Sequence, residues 1–420
     1  MDLQLLMFQC LFLLNATMPD QRAVHEHAEL LAALGEREWT RVTGNGQDAT
    51  SVPAKLAWLG RHEPSSLRAA HRVALGAPGY VVWRACGRTV CDPTTASTTG
   101  LFDLTARRWW PGAANAAAAD TGLLPDLVDP ATPAGRLSAP AARDLGLPTG
   151  LPILHAAGDA GATTLGVVGT TTESSYLYLG SSGWLAACVP SGAPTAASGA
   201  LRLAHPHPGT EIRIGAPLHV ASAGDWARRA LLGDVDHEHA ERAVAAEDSP
   251  TGVLFLPCLT GERAPVQDPF ARGTFVGITP ETTNAQLARA VMEGVALSLR
   301  HVAGRVHGGS TGTEEPAATE PLAVCGGGAR SATWCQIIAD ALGRPLRRVH
   351  AADAAVRGAA LLGWQAVGER PDVTAPAVGA VFEPDTERAR HFAALAPVHR
   401  ELYDTLAGSF RSLHELTVQR

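Results

Sequence analysis

Apolar residues recur at every fourth position from Leu287 to Leu299, which predicts an amphipathic helix over residues 283–306. Thr283 and Gln286 have the spacing of a capping box at the start of this helix. Further helices are predicted where the same periodicity ends at a glycine or a proline. These are the segments AVHEHAELLAAL, SVPAKLAWLGRHEP, ATWCQIIADALG and AADAAVRGAALLGWQAVG, together with residues 391–416.

Uninterrupted apolar runs between those helices predict strands. SSYLYLGSSGWLAACV predicts two strands around a turn, while LPILHAAGD, TGVLFLPCL and PLAVC predict buried strands. GYVVWRAC is also predicted as strand-like, so that Cys86 and Cys91 would lie on a strand and its turn. Strands that alternate with helices indicate an α/β protein. The Pro/Ala/Gly-rich passage 111–152 predicts loops and short helices.

Composition narrows the class of protein. A chain of 420 residues is too long for one hydrophobic core and fits two domains. The formal net charge of −7, without any basic stripe, argues against a nucleic-acid partner. Seven cysteines without a CxxC pair favour a reduced, cytoplasmic protein. The first apolar run, MDLQLLMFQCLFLLNATM, is too short to span a membrane and has no basic residues before it, so it is interpreted as a buried strand or as an unnatural start.

Asp159 is the first candidate for chemistry. It follows the apolar run LPILHAAG, where the carboxyl end of a strand in an open α/β sheet would meet a ligand. A carboxylate at that place can accept a hydroxyl proton, and the small residues Ala160, Gly161 and Ala162 would let a substrate come close. The alternative interpretation is a helix N-cap.

Two glycine-rich stretches are candidates for binding phosphate or a nucleotide. The first is a turn between two predicted strands, whose backbone amides can form an anion-binding nest, although the turn taken alone favours a plain hairpin connection. It comprises Gly180, Ser181, Ser182 and Gly183. The second follows a buried strand and precedes a helix, but it is neither GxGxxG nor a P-loop. It comprises Gly326, Gly327, Gly328 and Ala329.

Other polar clusters have simpler interpretations. The loop GERAPVQDPFARG, from Gly261 to Gly273, is explained by internal salt bridges at the surface. The His-x-His sequences at 25–27, 205–207 and 237–239 have no carboxylate or cysteine at ligand spacing, so solvated histidines are favoured over a metal site. No metal ligand is assigned.

The order of these motifs is more specific than any one of them. GD…GSSG is followed by LPCLTGERAPVQDPFARGTFVGI, RAVMEGVALSLR, CGGGARSATWCQIIADALGRP and GAALLGWQAVG. This order resembles the FGGY carbohydrate kinases, and the upstream segments VTGNGQDATSVPAKLAWLGRHEP and DPTTASTTGLFDLTARRWW resemble the xylulokinase-like branch. The resemblance runs from about residue 20 to the end. It implies two ribonuclease-H-like domains of the actin and hexokinase type around a cleft, predicted at 1–168 and 169–420.

The resemblance also implies roles for individual residues. Asp159 would be the catalytic base that deprotonates a sugar hydroxyl, with ATP and Mg²⁺ as co-substrate and cofactor. Gly180 to Gly183 would approach the phosphates of ATP, and Gly326 to Ala329 would lie against the adenosine. Asp20 and Arg22 match a sugar-side W-x-D-x-R motif whose Trp is missing, and Ala160 stands where xylulokinases have Asn. The implied reaction is phosphorylation of D-xylulose, with ribulose, gluconate or another polyol as alternatives.

The chain departs from the family pattern near its start. An Asp-x-Gly-Thr phosphate motif and a Met-His-Gly substrate motif are absent, so the first domain is expected to be incomplete. The rival interpretation is therefore a non-catalytic remnant of such a kinase. The expected partners are a sugar and ATP, without nucleic acid or membrane. A homodimer is left open.

Overall fold

The computed structural model describes residues 22–169, 174–193, 200–247, 250–307, 320–351, 353–369 and 377–418. Its helices, in chain order, are α1 (Val24–Leu34), α2 (Glu36–Thr43), α3 (Val52–His62), α4 (Pro64–Ala69), α5 (Gly76–Cys86), α6 (Pro93–Ala96), α7 (Pro111–Ala116), α8 (Ala139–Leu145), α9 (Asp159–Val168), α10 (Ala221–Ala230), α11 (His237–Ala245), α12 (Asn284–His307), α13 (Ala332–Leu342), α14 (Ala354–Ala366) and α15 (Thr386–Val418).

The strands, in chain order, are β1 (Val90–Cys91), β2 (Phe102–Asp103), β3 (Arg108–Trp109), β4 (Asp126–Leu127), β5 (Gly135–Arg136), β6 (Pro152–Ile153), β7 (Ser175–Leu179), β8 (Gly183–Pro190), β9 (Leu201–Ala204), β10 (Thr210–Gly215), β11 (Leu254–Leu256), β12 (Thr274–Val276), β13 (Leu322–Cys325), β14 (Leu346–His350) and β15 (Ala377–Phe382). Among the described helices, none is long and apolar enough to cross a membrane.

The chain divides into two compact units. The described residues of unit 1 lie within Met1–Thr170, Leu201–Ile212 and Asp353–Val373, and those of unit 2 within Thr171–Ala200, Arg213–Ala352 and Thr374–Arg420. The domain boundary expected after residue 168 stays a prediction. What the sequence did not indicate is that two later segments, which include β9 and α14, return to unit 1.

Unit 1 is built mainly from short helices and two-residue strands around a core that includes Leu30, Trp39, Leu56 and Phe102. The indole N–H of Trp39 donates to the Gly100 carbonyl at 2.9 Å, so this buried ring also has its polar atom paired. Strands β1 and β4 pair in parallel. The chain leaves β1 directly into Asp92, the N-cap of α6, which becomes important near the site.

The α9 helix of unit 1 packs closely on α14 because glycines stand at their crossing. A Cβ on Gly166 would collide with the Ala354 carbonyl, and a Cβ on Gly358 would collide with the Ala162 carbonyl. Glycine lets the two helix backbones approach to a distance that no side chain allows. This contact holds α9, the helix that begins with Asp159.

Unit 2 is organised by a central sheet. Its strands follow the order β15-β14-β13-β7-β8-β10, with β13 parallel to β7 and β14, and with β7 antiparallel to β8. Helix α12 is buried on most of its surface, including Val291, Val295 and Leu299. The predicted capping box is present, since Gln286 N–H donates to Thr283 Oγ1 (3.1 Å) and Thr283 N–H donates to Gln286 Oε1 (3.0 Å).

Two predicted strands are wrong. GYVVWRAC forms helix α5, with Gly79, Val82 and Ala85 buried at intervals of three, so Cys86 ends a helix and only Cys91 lies on a strand. The run LPILHAAG contributes only β6, and Pro152 in that strand is exposed. Most of the glycine- and acid-rich loop that begins at His307 lies outside the described residues.

Candidate active site

Asp159 is the first residue of α9 and its side chain is exposed. Gly158, not Asp159, occupies the N-cap position, so the N-cap interpretation of Asp159 does not hold. The Ala160 N–H donates to Asp159 Oδ1 at 2.7 Å, which leaves Oδ2 for another partner. Asp159 is thus an accessible anion on a rigid support, as a general base requires.

The small residues after Asp159 serve packing. Gly161 and Ala162 are buried, and a Cβ on Gly161 would lie 2.7 Å from Thr94 Oγ1. The expectation that these two residues admit substrate and phosphates is therefore wrong, because they face Thr94 and α14. Ala160 is partly exposed and remains a candidate for substrate contact.

The predicted sugar-side pair is only partly visible. Asp20 lies outside the described residues. Arg22 is exposed, and its guanidinium carbon lies 5.1 Å from the ring centroid of Trp58, a cation–π contact. Arg22 thus has a structural partner within unit 1, and its role in binding sugar stays a prediction.

In unit 2 the two glycine-rich stretches meet. Strands β7 and β13 are parallel neighbours with Tyr178 opposite Cys325, so the chain leaves both strands at the same edge of the sheet. A Cβ on Gly326, whose φ is +96°, would lie 2.6 Å from the Leu179 carbonyl oxygen. The carboxyl ends of parallel strands are where open α/β sheets bind ligands.

The turn from Gly180 to Gly183 is held by the residues around it. The Ser181 carbonyl accepts the N–H groups of Val220 and Ser222, both at 3.1 Å, while the Ser222 hydroxyl donates to it at 2.8 Å. The Ser181 and Ser182 amides have no acceptor within the described ranges. A fixed turn with two available N–H groups fits an anion-binding nest better than a plain hairpin connection.

The second glycine-rich stretch contains one glycine with open surroundings and one that is closely packed. Nothing lies within 4 Å of a Cβ built on Gly327, whereas a Cβ on Gly328 would lie 3.0 Å from the Leu179 Cβ. Ala329 is buried, and the chain then enters α13 through the N-cap Ser331. Gly327 therefore has open space beside its backbone, and Gly328 lies against Leu179 of β7.

The residues that anchor the turn from Gly180 to Gly183 were not predicted from the sequence. Glu262 is 4% exposed, and its Oε1 accepts the N–H groups of Leu218 (2.8 Å), Arg263 (2.7 Å) and Ala264 (3.3 Å). Burial raises the pKa of the Glu262 carboxyl, and these N–H donors oppose that shift. Glu262 thereby ties the GERAP loop to the segment that enters α10. Its place in the distinctive run GERAP was the available signal.

His219 links the segment before the GERAP loop to the turn from Gly180 to Gly183. Its Nε2 lies 2.8 Å from Thr260 Oγ1 and its Nδ1 lies 3.2 Å from Ser222 Oγ. Burial lowers the pKa of His219, so the ring is neutral at pH 7. Ser222 in turn donates to the Ser181 carbonyl, so Thr260, His219 and Ser222 form one hydrogen-bonded path to the turn.

The simpler interpretations of two polar clusters need correction. The charged residues of the GERAP loop form no ion pair with one another among the described residues, and Tyr403 instead donates to Asp268 at 2.8 Å. His205 is 1% exposed rather than solvated, and burial lowers its pKa to about 4. In the parts of the chain that the structure describes, no group of three His, Cys, Asp or Glu residues could hold a metal ion.

A cavity of about 710 Å³ lies in unit 2 beside α13. Thr333, Gln336 and Ile337 line it, as does Arg388, whose guanidinium Nε donates to Asp340 at 2.6 Å. None of the residues predicted to bind the nucleotide lines this cavity. The lining residue Thr333 comes shortly after Ser331, the N-cap of α13, so it follows the glycine loop closely in the sequence. The loop itself does not line the cavity.

Both halves of the chain match profiles of one protein family. Residues 13–166 match the N-terminal domain of the FGGY family of carbohydrate kinases, and residues 217–367 match its C-terminal domain. The chain belongs to the FGGY family. The family predicted from the sequence motifs is confirmed.

Individual relatives of this FGGY protein carry several names. A xylulose kinase of Escherichia coli is 32% identical over 307 residues, which are 73% of this chain and 61% of that protein. A glycerol kinase of Bordetella parapertussis is 32% identical over 354 residues, 78% of this chain and 65% of that protein. This chain therefore spans less than two thirds of the length of either relative.

A solved structure supports the fold. The crystal structure of xylulose kinase from Rhodospirillum rubrum has a TM-score of 0.81 and 29% identity to this chain, and the match covers 94% of this chain and 79% of that one. The α/β fold class with two domains of the actin and hexokinase type, expected from the sequence, is confirmed.

Proposed function

We propose that this chain is an ATP-dependent sugar kinase in which Asp159 is the general base. The observation that carries the proposal is that this chain has an accessible carboxylate in unit 1 and two glycine loops in unit 2. The loops share one edge of the unit 2 sheet, where Gly326 lies against Leu179. Such an edge suits a nucleotide, and the carboxylate suits a hydroxyl substrate.

The proposed reaction is a direct phosphoryl transfer. Asp159 accepts the proton of a sugar hydroxyl, whose oxygen forms a bond to the γ-phosphorus of ATP. The bond between that phosphorus and the β,γ-bridging oxygen breaks, and ADP leaves with the electron pair. The protein forms no covalent bond to the substrate in such a step, so most of the catalysis comes from positioning the reactants and stabilising the charge on the phosphates.

The Ser181 and Ser182 amides are the groups proposed to hold phosphate oxygens. They need no positive side chain, because backbone N–H groups in a turn bind anions through their aligned dipoles. The path from Glu262 through Leu218 to α10 keeps the turn in place. Gly327 is proposed to lie against the adenosine, since its surroundings are open.

Mg²⁺ fits this arrangement as part of the nucleotide complex. It takes most of its ligands from phosphates and water and only one or two from protein carboxylates, so the absence of a three-residue cluster among the described residues does not conflict with it. When bound with ATP, Mg²⁺ supplies charge neutralisation on the phosphates.

D-xylulose is the proposed acceptor, with D-xylulose 5-phosphate as product. The names of the xylulose kinase relatives and the upstream sequence motifs support it. Glycerol or a related polyol is the second candidate, because the glycerol kinase relative is equally identical over a longer alignment. A cytoplasmic location belongs to the same proposal.

The proposal is tested by ADP release from purified protein and Mg-ATP, with D-xylulose, ribulose, gluconate and glycerol offered separately. Stimulation by D-xylulose together with a phosphorylated product in mass spectrometry supports the whole proposal. Stimulation by glycerol alone keeps the kinase and replaces its substrate. ATP binding without stimulation by any of the four contradicts the proposed kinase and favours a nucleotide-binding protein without transfer activity.

A further inference from the structure

Unit 1 contains a buried polar pair that the proposed chemistry does not use. Asp92 and His155 both have fully buried side chains, and Asp92 Oδ2 lies 3.5 Å from His155 Nδ1. A carboxylate removed from water is costly unless several donors surround it. Asp92 follows β1, and His155 lies between β6 and α9, so segments far apart in sequence bring the pair together.

One oxygen of Asp92 connects the pair to the turn before Asp159. Asp92 Oδ1 accepts the N–H groups of Thr94 (2.9 Å) and Thr95 (3.1 Å), which is ordinary capping of α6. It also accepts the N–H of Gly158 at 3.2 Å, across 66 residues of sequence. The third bond has no part in capping α6. It fixes the peptide group between Ala157 and Gly158, one residue before Asp159.

The fit of Gly158 against α6 leaves little freedom. A Cβ on Gly158 would lie 2.8 Å from Thr95 Oγ1, so glycine is needed for this approach. Gly161, one turn further, would likewise meet Thr94 Oγ1 at 2.7 Å. The first turn of α9 therefore rests on α6 at two points, and Asp92 supplies the hydrogen bond between the two segments.

His155 lies beside the other oxygen of Asp92. Its Nδ1 is 3.5 Å from Asp92 Oδ2 and 3.2 Å from the Ala156 carbonyl, and Oδ2 has no hydrogen-bond partner within the described ranges. Its Nε2 has no hydrogen-bond partner there either and faces Gly79, whose built Cβ would lie 3.8 Å away. His155 is thus the polar side chain next to a buried carboxylate oxygen.

We infer that Asp92 and His155 are positioning residues for Asp159. The inference rests on the proposed function, in which Asp159 is the base. Asp92 holds the Gly158 peptide against α6, His155 lies against the second oxygen of Asp92, and the exposed carboxylate of Asp159 is thereby kept at one place at the start of α9. A base displaced by about 1 Å can lose roughly 100-fold in rate, which is the effect this pair prevents.

The first test is kinetic and uses the full chain with its stimulating sugar. Asp92→Ala is expected to lower kcat by about 100-fold and to leave the KM for ATP within about twofold, because the proposed ATP groups lie in unit 2. The control Asp120→Ala removes another capping carboxylate of unit 1, which accepts the Gly122 N–H at 2.8 Å. It is expected to retain kcat. Equal kcat values in Asp92→Ala and the control overturn the inference.

A double-mutant cycle distinguishes an effect of Asp92 on the position of Asp159 from a general loss of structure. If Asp92 acts through Asp159, adding Asp92→Ala to Asp159→Asn produces no further loss of kcat beyond about twofold. A further large loss shows that Asp92 acts elsewhere. If Asp159→Asn alone retains full turnover, the proposed base is wrong. If only the Asp92 effect is missing, the base stands and the positioning role fails.

His155 allows a conservative rescue. His155→Asn can place an amide N–H near the Nδ1 position and is expected to keep kcat within about threefold, whereas His155→Leu removes the donor and is expected to approach Asp92→Ala. Equal activity of the two variants contradicts the role of the donor. Comparing the two His155 variants also tests the inference if Asp92→Ala does not fold.

Hydrogen exchange supplies a readout that needs no turnover. Asp92→Ala is expected to speed amide exchange in the peptide from Ala157 to Thr164 by about tenfold or more, with α10 unchanged. Unchanged exchange in that peptide overturns the inference even if the chain phosphorylates none of the sugars tried.

Discussion

At the residue scale, Glu262 shows how one buried carboxylate can organise a loop that shapes a site. Its Oε1 alone accepts three backbone N–H groups, while Oε2 is buried without a partner among the described residues. Removing the side chain leaves those donors unpaired, and each unpaired buried donor costs about 1–3 kcal/mol. The GERAP loop and the neighbouring turn from Gly180 to Gly183 both depend on this residue.

We therefore expect Glu262→Ala to lose about 3 kcal/mol of unfolding free energy and to weaken ATP binding. Glu262→Gln is the matched control, since its amide oxygen can replace Oε1. It is expected to stay within about 1 kcal/mol of the wild type. Urea unfolding and ATP titration measure both effects. Equal behaviour of the two variants would show that the three N–H bonds do not hold the loop.

The buried pair His301 and His399 predicts a stability loss in acid. Burial lowers the pKa of His399 to about 4 and that of His301 to about 3, with ring centroids 5.5 Å apart. Because the unfolded pKa is near 6.5, the unfolded chain takes up the proton first as the pH falls. Stability present above pH 6.5 is therefore lost progressively as the pH falls from 6.5 to about 3, the lower of the two folded pKa values.

His399→Gln isolates the contribution of one ring. Its amide N–H can replace the bond from His399 to the Phe255 carbonyl (2.9 Å), but it does not titrate. We expect the variant to lose about 3 kcal/mol less than the wild type between pH 7 and pH 4, since each unit of pKa difference corresponds to about 1.4 kcal/mol. Urea unfolding at both pH values measures this. Parallel losses would mean that other groups dominate the acid response.

Residues near the site differ in how visible they are in the sequence. Asp159 and the glycines stand out, because they break apolar runs at the ends of predicted strands. Asp92 and His155 do not stand out, because their importance lies in bonds to residues distant along the chain. A hydrogen bond across 66 residues has no local signature in the sequence.

At the element scale, the crossing of α9 and α14 depends on glycine. Gly358→Ala would drive a methyl group into the Ala162 carbonyl, so we expect a loss of about 3 kcal/mol from overpacking. Gly363→Ala on the same helix meets nothing within 4 Å and is expected to be neutral or to gain up to about 1 kcal/mol from helix propensity. Urea unfolding compares the two. A similar change in both variants would contradict the tight crossing.

The elements also show why some predictions failed. The long helix α12 and the strands β7 and β8 were predictable because their patterns extend over many residues. The run YVVW is too short to separate strand from helix, and its β-branched residues favoured the wrong choice. The burial of Gly79, Val82 and Ala85, which makes α5 helical, depends on neighbours that no local pattern specifies.

At the scale of the whole molecule, the two units divide the work in the proposed reaction. Unit 1 carries the candidate base, and unit 2 carries the candidate nucleotide groups. The family motifs predict this division, whereas they do not indicate that residues 201–212 and the described residues of 353–373 return to unit 1. Those segments return because their packing partners, such as α9 for α14, are long-range contacts.

This division predicts a selective response to ADP. Saturating Mg-ADP is expected to slow amide exchange in the peptides that contain Gly180 to Gly183 and Gly326 to Ala329, because the ligand covers their backbone. The peptide that contains Asp159 is expected to change little, since ADP lacks the transferred phosphoryl group. Protection of the Asp159 peptide without protection of the two glycine loops would reverse the assignment.

The role of Asp159 as the base is central to the proposed mechanism. Its most direct test compares sugar-dependent ADP release by the wild type and by Asp159→Asn, with the ATP affinity of each protein measured in parallel. We expect kcat to fall by about 100-fold to 10,000-fold in the variant, while ATP affinity stays within about threefold. Turnover of Asp159→Asn within a few-fold of the wild type would contradict the central claim.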